Sequence, residues 1–307
     1  MKRKPHALRV GDTVAVVAPS GIVDRERLDE GIAAIESLGL KVKVMGSVLK
    51  QCGYLAGEDR DRARDFQEAW TDPGTHAVMA ARGGYGAGRM MRYLDFRLLA
   101  PHKKVFMGYS DITALHLALW KKLRLVTFHG PMVQAGLHKP FNLEGVRDAL
   151  FRGGPRGELR LPEGGALKSL SGGYAQGDLV GGNLSLVAAS IGTPFEIDTK
   201  GKVLFLEEVG EAPYRVDRIL CQLEAAGKLN QAAAFLLGDF TDCTPKEGSA
   251  SLSLDEVLKG YLAGRGKPCL SGVPAGHGEF NATLPLGVRV AVDGDSPRLV
   301  FLERAAL

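Results

Sequence analysis

The sequence predicts an α/β protein in which a parallel-sheet domain precedes a β-rich, mixed α/β domain. Between residues 13 and about 130, short apolar β-branched runs alternate with helical periodicity, a pattern typical of βαβ units on a parallel sheet. From 138 to 177 this periodicity fades while glycine, proline and charge rise, which predicts a crossover between domains. The 307 residues leave room for two domains. We therefore expect an N-terminal α/β domain at 1–137, an interdomain crossover at 138–177 and a C-terminal domain at 178–307.

The elements of the N-terminal domain follow from the spacing of its apolar residues. Strands are predicted at 13–18, 42–45, 77–81, 104–107 and 125–128. In the first helix, apolar residues recur at steps of four, three and three and form one apolar face; they are Leu28, Ile32, Ile35 and Leu38. Gly39 follows, where a left-handed residue commonly ends a helix. Further helices are predicted from about 59 to 70 and from about Ser110 onward.

The C-terminal domain is predicted to mix strands with short helices. Strands are expected at 203–206, 232–237, 288–292 and 299–302, and a short helix at about 184–191. A second helix is indicated by apolar residues at helical spacing, Val216, Ile219, Leu220 and Leu223. The share of strands makes this domain β-rich.

Composition and charge exclude several classes of protein. Apolar residues make up 45% and charged residues 24% of the chain, as in ordinary globular proteins. The 39 basic and 35 acidic residues are spread along the sequence, which argues against a nucleic-acid-binding protein. No run approaches the roughly 18–20 apolar residues of a membrane span. The basic residues 2–4 run into Pro5 without an apolar stretch, so no signal peptide is expected.

The spacing of cysteines and histidines bears on the cellular compartment and on metal binding. Four cysteines lie far apart, without CxxC spacing or the density of a disulfide scaffold, and they are Cys52, Cys221, Cys243 and Cys269. This usage predicts a cytoplasmic protein. No pair of histidines has HExxH or similar spacing, so neither a metal nor another cofactor is expected.

Ser110 is the candidate nucleophile. It follows the apolar run Val105-Phe106-Met107-Gly108-Tyr109 and precedes a helix-forming stretch, which is the strand, sharp turn and helix that raises a serine hydroxyl from the backbone. Gly108 permits the tight turn, whereas Ile112 replaces the usual second glycine. A second interpretation is that Ser110 caps the helix, as serine often does.

A run of glycines follows the third predicted strand, in the sequence Gly83-Gly84-Tyr85-Gly86-Ala87-Gly88. The carboxyl edge of a parallel sheet is where such folds bind ligands. A backbone amide of Gly83 or Gly84 and the Asp111 N–H are therefore candidates for an oxyanion hole. A dinucleotide-binding loop fits less well, because the glycines do not follow the first strand. A plain glycine turn is the remaining alternative.

His277 and Glu207 are candidates for the base and its carboxylate. His277 lies in the glycine-flanked stretch Gly276-His277-Gly278, and among the seven histidines His129, at a strand end, is its main rival. His116 fits a buried position on the third helix. Glu207 ends a predicted strand, where a carboxylate can hold the imidazole tautomer that deprotonates serine. The alternative is that Glu207 and Glu208 are solvated acids at a strand exit.

Taken in order, several motifs resemble the serine LD-carboxypeptidases, or muramoyl-tetrapeptide carboxypeptidases, whose relatives include microcin C immunity proteins. They are Gly-Asp-Thr-Val-Ala-Val-Val-Ala-Pro-Ser at 11–20, Arg-Gly-Gly-Tyr-Gly at 82–86, Gly-Tyr-Ser-Asp at 108–111, Gly-Gly-Asn-Leu at 181–184, the acidic stretch at 206–215, Gly-His at 276–277 and Leu-Pro-Leu-Gly at 284–287. The resemblance covers nearly the whole chain.

The resemblance implies a Ser110, Glu207, His277 triad. The family often has aspartate where this chain has Glu208, which leaves the choice between the two glutamates open. It also implies a flavodoxin-like N-terminal domain, a β-rich C-terminal domain, a cleft between them and a homodimer.

The same resemblance implies release of a terminal D-alanine from muropeptide tetrapeptides in peptidoglycan recycling, through an acyl-enzyme. Holding the free carboxylate of such a substrate suits an arginine, for which Arg82 is the candidate, and Asn183 is expected to line the pocket. One alternative is a hydrolase of peptidyl-nucleotide amides, as in the microcin immunity branch. The other is a non-enzymatic muropeptide binder. No nucleic-acid or membrane partner is expected.

Overall fold

The computed structural model describes residues 1–155 and 157–307, so Arg156 of the predicted crossover lies outside the described residues. The described chain forms two compact units. The first unit comprises Met1–Pro155, Thr283–Pro285 and Arg304–Leu307. The second unit comprises residues 157–282 and Leu286–Glu303. A short stretch near the end of the chain and the last four residues therefore belong with the N-terminal half.

The strands and helices of the described residues are numbered in chain order. The strands are β1 (Thr13–Val17), β2 (Lys41–Val44), β3 (Ala77–Ala80), β4 (Val105–Gly108), β5 (Thr127–His129), β6 (Gly157–Glu158), β7 (Lys168–Ser171), β8 (Tyr174–Asn183), β9 (Val203–Val209), β10 (Ala234–Thr241), β11 (Cys269–Ser271), β12 (Leu284–Leu286), β13 (Arg289–Asp293) and β14 (Arg298–Phe301). The helices are α1 (Arg25–Glu36), α2 (Asp59–Thr71), α3 (Ala87–Met90), α4 (Phe96–Leu99), α5 (Thr113–Leu123), α6 (Pro140–Phe151), α7 (Leu184–Ala189), α8 (Pro213–Ala225), α9 (Lys228–Gln231) and α10 (Leu254–Leu262).

The first unit is built on a six-stranded sheet in the order β12-β5-β4-β3-β1-β2. Strands β1 to β5 pair in parallel, which confirms the predicted α/β fold. The central strands β1, β3 and β4 are almost wholly buried, as expected for strands covered on both faces. Their carboxyl ends lie at one edge of the sheet and carry the loops after Val17, Ala80 and Gly108.

Helix α1 shows how local sequence places these loops. Asp24 is its N-cap, and the Asp24 carboxylate accepts a hydrogen bond from the Arg27 N–H at 3.0 Å. The predicted apolar face is present, since Leu28 and Ile35 are buried. Gly39, with φ of 80°, turns the chain from the helix toward β2.

The second unit contains an eight-stranded mixed sheet in the order β6-β14-β13-β8-β9-β10-β11-β7. Its middle strands, β8 to β11, run parallel, whereas the flanking pairs are antiparallel. The β-rich mixed architecture predicted for the second half is therefore confirmed.

The segment with the weakest sequence pattern contains regular structure. Helix α6 begins with Pro140 at its first turn and buries Val146, Ala149 and Leu150. Strands β6 and β7 and the start of β8 follow it. The pattern was lost because these strands are short and largely exposed, so they carry no apolar alternation.

None of the helices in the described parts of the chain has the length and apolar character that crossing a membrane requires.

Candidate active site

Ser110 lies at the turn between β4 and α5. It begins a short 3-10 turn, Ser110–Ile112, which leads directly into α5. Its φ of 64° falls in the left-handed region, which costs a non-glycine residue about 1–2 kcal/mol. The N-cap position of this turn is Tyr109 rather than Ser110, so the conformation of Ser110 is not that of an extended N-cap residue. Strain of this kind is typical of a serine held at a strand-to-helix elbow.

Gly83 packs directly against the Ser110 turn. A Cβ atom added to Gly83 would lie 2.8 Å from Ser110 Cβ and 3.5 Å from the Asp111 backbone nitrogen. Only a glycine fits so close an approach. Gly84, with φ of 106°, lies beside Gly21 instead, where an added Cβ would meet Gly21 Cα at 3.5 Å. The structure thus brings the predicted Gly83, Ser110 and Asp111 together.

The Asp111 side chain connects the Ser110 turn to two other loops. It is 2% exposed, and its Oδ2 accepts hydrogen bonds from the Ser20 hydroxyl at 2.6 Å and from the Ala87 N–H at 2.8 Å. Burial raises the pKa of Asp111, while these two donors act in the opposite direction. Ser20 and this carboxylate were not among the predicted site residues. The sequence signal for Ser20 was weak: it follows β1 at the same sheet edge, a position that many serines occupy.

Arg82 lies beside an open cavity of about 570 Å³ in the first unit. The cavity is lined by Gly21, Ile22, Tyr54, Arg82, Gly84 and Tyr85. The guanidinium Nη1 donates to the Ile22 carbonyl at 2.7 Å, and no ion pair of Arg82 is found within residues 1–155 and 157–307. The rings of Tyr54 and Tyr85 approach to 5.9 Å between centroids. A cation held in place beside two exposed rings suits an anionic, partly apolar ligand.

Glu207 and His277 form a hydrogen-bonded pair in the second unit. His277 Nδ1 lies 2.7 Å from Glu207 Oε2, and Glu207 is fully buried while the ring of His277 is partly exposed. Burial raises the pKa of Glu207, whereas the bond from His277 lowers it. With the carboxylate as acceptor, Nδ1 carries the ring proton and Nε2 can act as the base.

Glu208 faces the opposite way, because side chains alternate along β9. Its carboxylate accepts from the Asn183 amide at 2.9 Å, from the Ser185 N–H at 2.9 Å and from the Ser185 hydroxyl at 2.6 Å. Asn183 is also the N-cap of α7 and accepts from the Leu186 N–H at 3.2 Å. Of the two glutamates, Glu207 is therefore the one that contacts His277, and Glu208 organises the start of α7.

The other histidines considered from the sequence are buried in the first unit. His129 ends β5 and lies beside Tyr109, with ring centroids 5.9 Å apart. His116 on α5 bonds the Gly108 carbonyl at 2.8 Å and the Thr127 hydroxyl at 2.9 Å. Burial lowers the pKa of His116 to about 4, which fits a structural rather than a basic role.

The predicted residues thus fall into two groups. Ser110, Asp111, Gly83, Gly84 and Arg82 belong to the first unit. Glu207, His277 and Asn183 belong to the second unit. The first group contains a strained serine beside glycines, and the second contains an imidazole bonded to a buried carboxylate; both are features that serine hydrolases use.

Comparison with known proteins identifies the relatives of this chain. Residues 14–130 match the family model of the LD-carboxypeptidase N-terminal domain, and residues 176–292 match that of the LD-carboxypeptidase C-terminal domain. The probable murein peptide carboxypeptidase of Bacillus subtilis (strain 168) is 44% identical, with 94% of this chain and 91% of the relative covered.

Two further relatives extend the comparison. The muramoyltetrapeptide carboxypeptidase structure from Oxalobacter formigenes is 31% identical with a TM-score of 0.80, covering 94% of this chain and 97% of that one. The microcin C7 self-immunity protein of Escherichia coli is 26% identical, covering 97% of this chain and 95% of the relative. The resemblance inferred from the motifs is confirmed. On the two family models and the 44% identical relative, the chain belongs to the LD-carboxypeptidase family.

Proposed function

We propose that the protein is a serine carboxypeptidase that releases the terminal D-alanine from murein tetrapeptides through an acyl-enzyme. The observation that carries the proposal is the 2.7 Å bond between Glu207 and His277, because it fixes the ring tautomer that a serine hydrolase uses as base. The strained backbone of Ser110 supports the same chemistry. The names of the 44% and 31% identical relatives support the substrate.

In the proposed mechanism, Ser110 Oγ attacks the carbonyl carbon that joins the diamino acid to D-alanine. His277 Nε2 takes the hydroxyl proton and then gives it to the departing amine, so that the C–N bond breaks as D-alanine leaves. Water then attacks the ester carbonyl and transfers a proton to His277. The ester C–O bond breaks, and Ser110 recovers its proton from the ring.

The Asp111 N–H and a backbone N–H of Gly83 or Gly84 are proposed to bind the oxyanion. The support is the contact between Gly83 and the Ser110 turn. A single donor in such a hole contributes about 3–4 kcal/mol to the transition state. The Asp111 carboxylate, held by Ser20 and Ala87, keeps its own N–H aligned for this role.

Arg82 is proposed to bind the free carboxylate of the substrate. Asn183 is proposed as a further substrate-binding residue from the motif resemblance, and its amide donates to Glu208 at 2.9 Å. The support for Arg82 is its guanidinium, which lines the cavity and donates to one backbone carbonyl. Substitution of Arg82 by alanine should reduce kcat/KM for a peptide ending in D-alanine about 10- to 100-fold. The same change should leave hydrolysis of the corresponding D-alaninamide peptide nearly unaltered.

We also propose that the enzyme acts in the cytoplasm as a homodimer. The cytoplasmic assignment is supported by the four cysteines, all of which are free thiols. The homodimer is an expectation from the family resemblance. Sedimentation of the purified chain would test it, and a monomer at assay concentrations would remove it.

The decisive experiment is Ser110→Ala, with the exposed Ser251→Ala as a matched control. Release of D-alanine from a tetrapeptide should be lost in the first variant and kept in the second, and a fluorophosphonate should label only chains that retain Ser110. Retained turnover in Ser110→Ala would refute the nucleophile assignment. A peptidyl-nucleotide amide, run beside the tetrapeptide, tests the microcin-type alternative. Binding without turnover or labelling would indicate the non-enzymatic binder.

A further inference from the structure

We propose that Asp239 is a positioning residue for His277, holding the loop that carries the ring and presenting a second carboxylate to it. This inference rests on the proposed role of His277 as the base. Asp239 lies on β10, the neighbour of the strand that carries Glu207. It was not among the residues predicted from the sequence.

The backbone of β10 is shaped to run against the His277 loop. Its register with β9 shifts between Leu237 and Phe240. Irregularities of this kind change the direction in which the side chains of a strand point. Within this irregularity the Asp239 N–H donates to the Ala275 carbonyl at 3.0 Å. Gly238 makes the approach possible, because an added Cβ would collide with the Ala275 carbonyl oxygen.

The side chain of Asp239 contacts the other end of the same loop. Its Oδ2 accepts a hydrogen bond from the Gly278 N–H at 3.2 Å. A Cβ added to Gly278 would lie 2.6 Å from this oxygen. On the opposite side, a Cβ added to Gly276 would lie 2.9 Å from Glu207 Oε2. His277 therefore lies between two glycines, each of which faces a carboxylate. Asp239 bonds both ends of this loop, through its backbone N–H at residue 275 and through its side chain at residue 278.

The charges around the ring favour this role. Burial raises the pKa of Asp239, while the Gly278 N–H and His277 act in the opposite direction and favour the carboxylate. Other acids near the loop in the described part of the second unit include Glu207, which bonds Nδ1. Glu208, whose carboxylate is bound by Asn183 and Ser185, and the exposed Glu279 are two more. A carboxylate near the ring stabilises the imidazolium that forms when the base accepts a proton.

The two parts of the role can be separated by substitution. Asp239→Asn keeps an oxygen that can accept from the Gly278 N–H but removes the charge. Asp239→Ala removes both. We expect Asp239→Asn to lower kcat about tenfold with KM unchanged, and to move the acid limb of the kcat/KM profile about one pH unit lower. Asp239→Ala should lower kcat further, because the loop loses its anchor.

The test compares these variants of the full chain with Asp242→Asn, the same change at an exposed residue just beyond β10. Each is assayed for D-alanine release and for the rate of fluorophosphonate labelling of Ser110 across pH, with thermal unfolding as a check of folding. The proposal is overturned if Asp239→Asn has the same acid limb and the same kcat as Asp242→Asn. It is also overturned if Asp239→Asn raises KM and leaves kcat and the acid limb unchanged. Should Asp239→Ala not fold, Asp239→Asn decides.

Labelling separates this inference from the proposed function. If the wild-type chain labels at Ser110 but releases no D-alanine, the substrate assignment fails. The labelling rates of the Asp239 variants then still measure how well His277 activates the serine. A lower labelling rate in Asp239→Asn supports the positioning role, and an unchanged rate overturns it.

Discussion

Replacement of Glu207 by glutamine is the most informative single change, because it preserves shape while removing one buried charge. Glu207 is fully buried and bonded to the partly exposed His277 at 2.7 Å, so solvent screens the pair only weakly. Two unit charges about 4 Å apart at an effective dielectric constant of about 20 interact by about 4 kcal/mol. Loss of this stabilisation of the imidazolium corresponds to about a 10³-fold decrease in kcat. A flip of the amide that selects the wrong ring tautomer would bring the loss to about 10⁴-fold.

The same substitution should not destabilise the fold at neutral pH. Burial raises the pKa of Glu207, so ionisation of this group opposes folding at pH values above the pKa of an unfolded glutamate. Glutamine removes that cost. The Tm of Glu207→Gln should therefore equal or exceed that of the wild type at pH 7, and the difference should shrink as the pH falls toward about 4.

Glu208→Gln is the matched control, one residue along the same strand. Glu208 accepts hydrogen bonds at the start of α7 from Asn183 and Ser185, so its replacement should lower Tm and leave kcat of the folded enzyme within about tenfold of wild type. Steady-state release of D-alanine and differential scanning calorimetry measure both effects. The reasoning fails if Glu207→Gln keeps kcat within tenfold, or if Glu208→Gln proves the more damaging to kcat.

Three further results are expected. Ser110→Gly should abolish activity yet raise the free energy of unfolding by about 0.5–1 kcal/mol in denaturant, because glycine adopts a φ of 64° without strain. Arg124→Gly, at φ of 54°, should give a similar gain and leave activity intact. The strain argument fails if neither variant is more stable than the wild type. Ser20→Ala should lower the free energy of unfolding by about 1–3 kcal/mol, since the buried Asp111 carboxylate loses a hydrogen-bond donor. A Tm equal to that of the wild type would count against that bond. A thiol reagent should label the exposed Cys221 in the native state and spare Cys269, whose pKa burial raises to about 12; equal rates would be inconsistent with the burial of Cys269.

The five strands β1 to β5 could be predicted within about two residues because each is a short apolar run between turns or helices. The Ser110 turn was visible for the same reason, since it follows a buried strand. Glu207 was expected to end a strand at 203–206, but it lies within β9, which pairs with β10 as far as Val209. Sequence patterns could not indicate that Glu207 rather than Glu208 faces His277. That choice depends on the phase of β9 relative to the His277 loop, which lies 70 residues further along the chain.

Asp239 and Ser20 were missed for a different reason. Each is a single polar residue after an apolar run, indistinguishable in sequence from many strand-end acids and serines. Their roles depend on contacts with residues 39 and 91 positions away, respectively. The buried residues of helix α6 fall at helical spacing, and they are Asn142, Val146, Ala149 and Leu150. The helix was missed because one of these four is polar and because glycine- and charge-rich sequence follows directly at 152–157.

Strand β12 has a consequence for how the protein is made. It borders β5 in the first sheet, and the Leu307 N–H donates to the Pro5 carbonyl. Both β12 and Leu307 are therefore synthesised long after the segments that they contact. At 5–20 residues per second, a ribosome needs roughly 8–30 s after residue 155 to supply the segments up to residue 307. Throughout that interval the β5 border lacks its neighbour. We therefore expect nascent chains stalled before residue 283 to depend on chaperones and to be readily degraded.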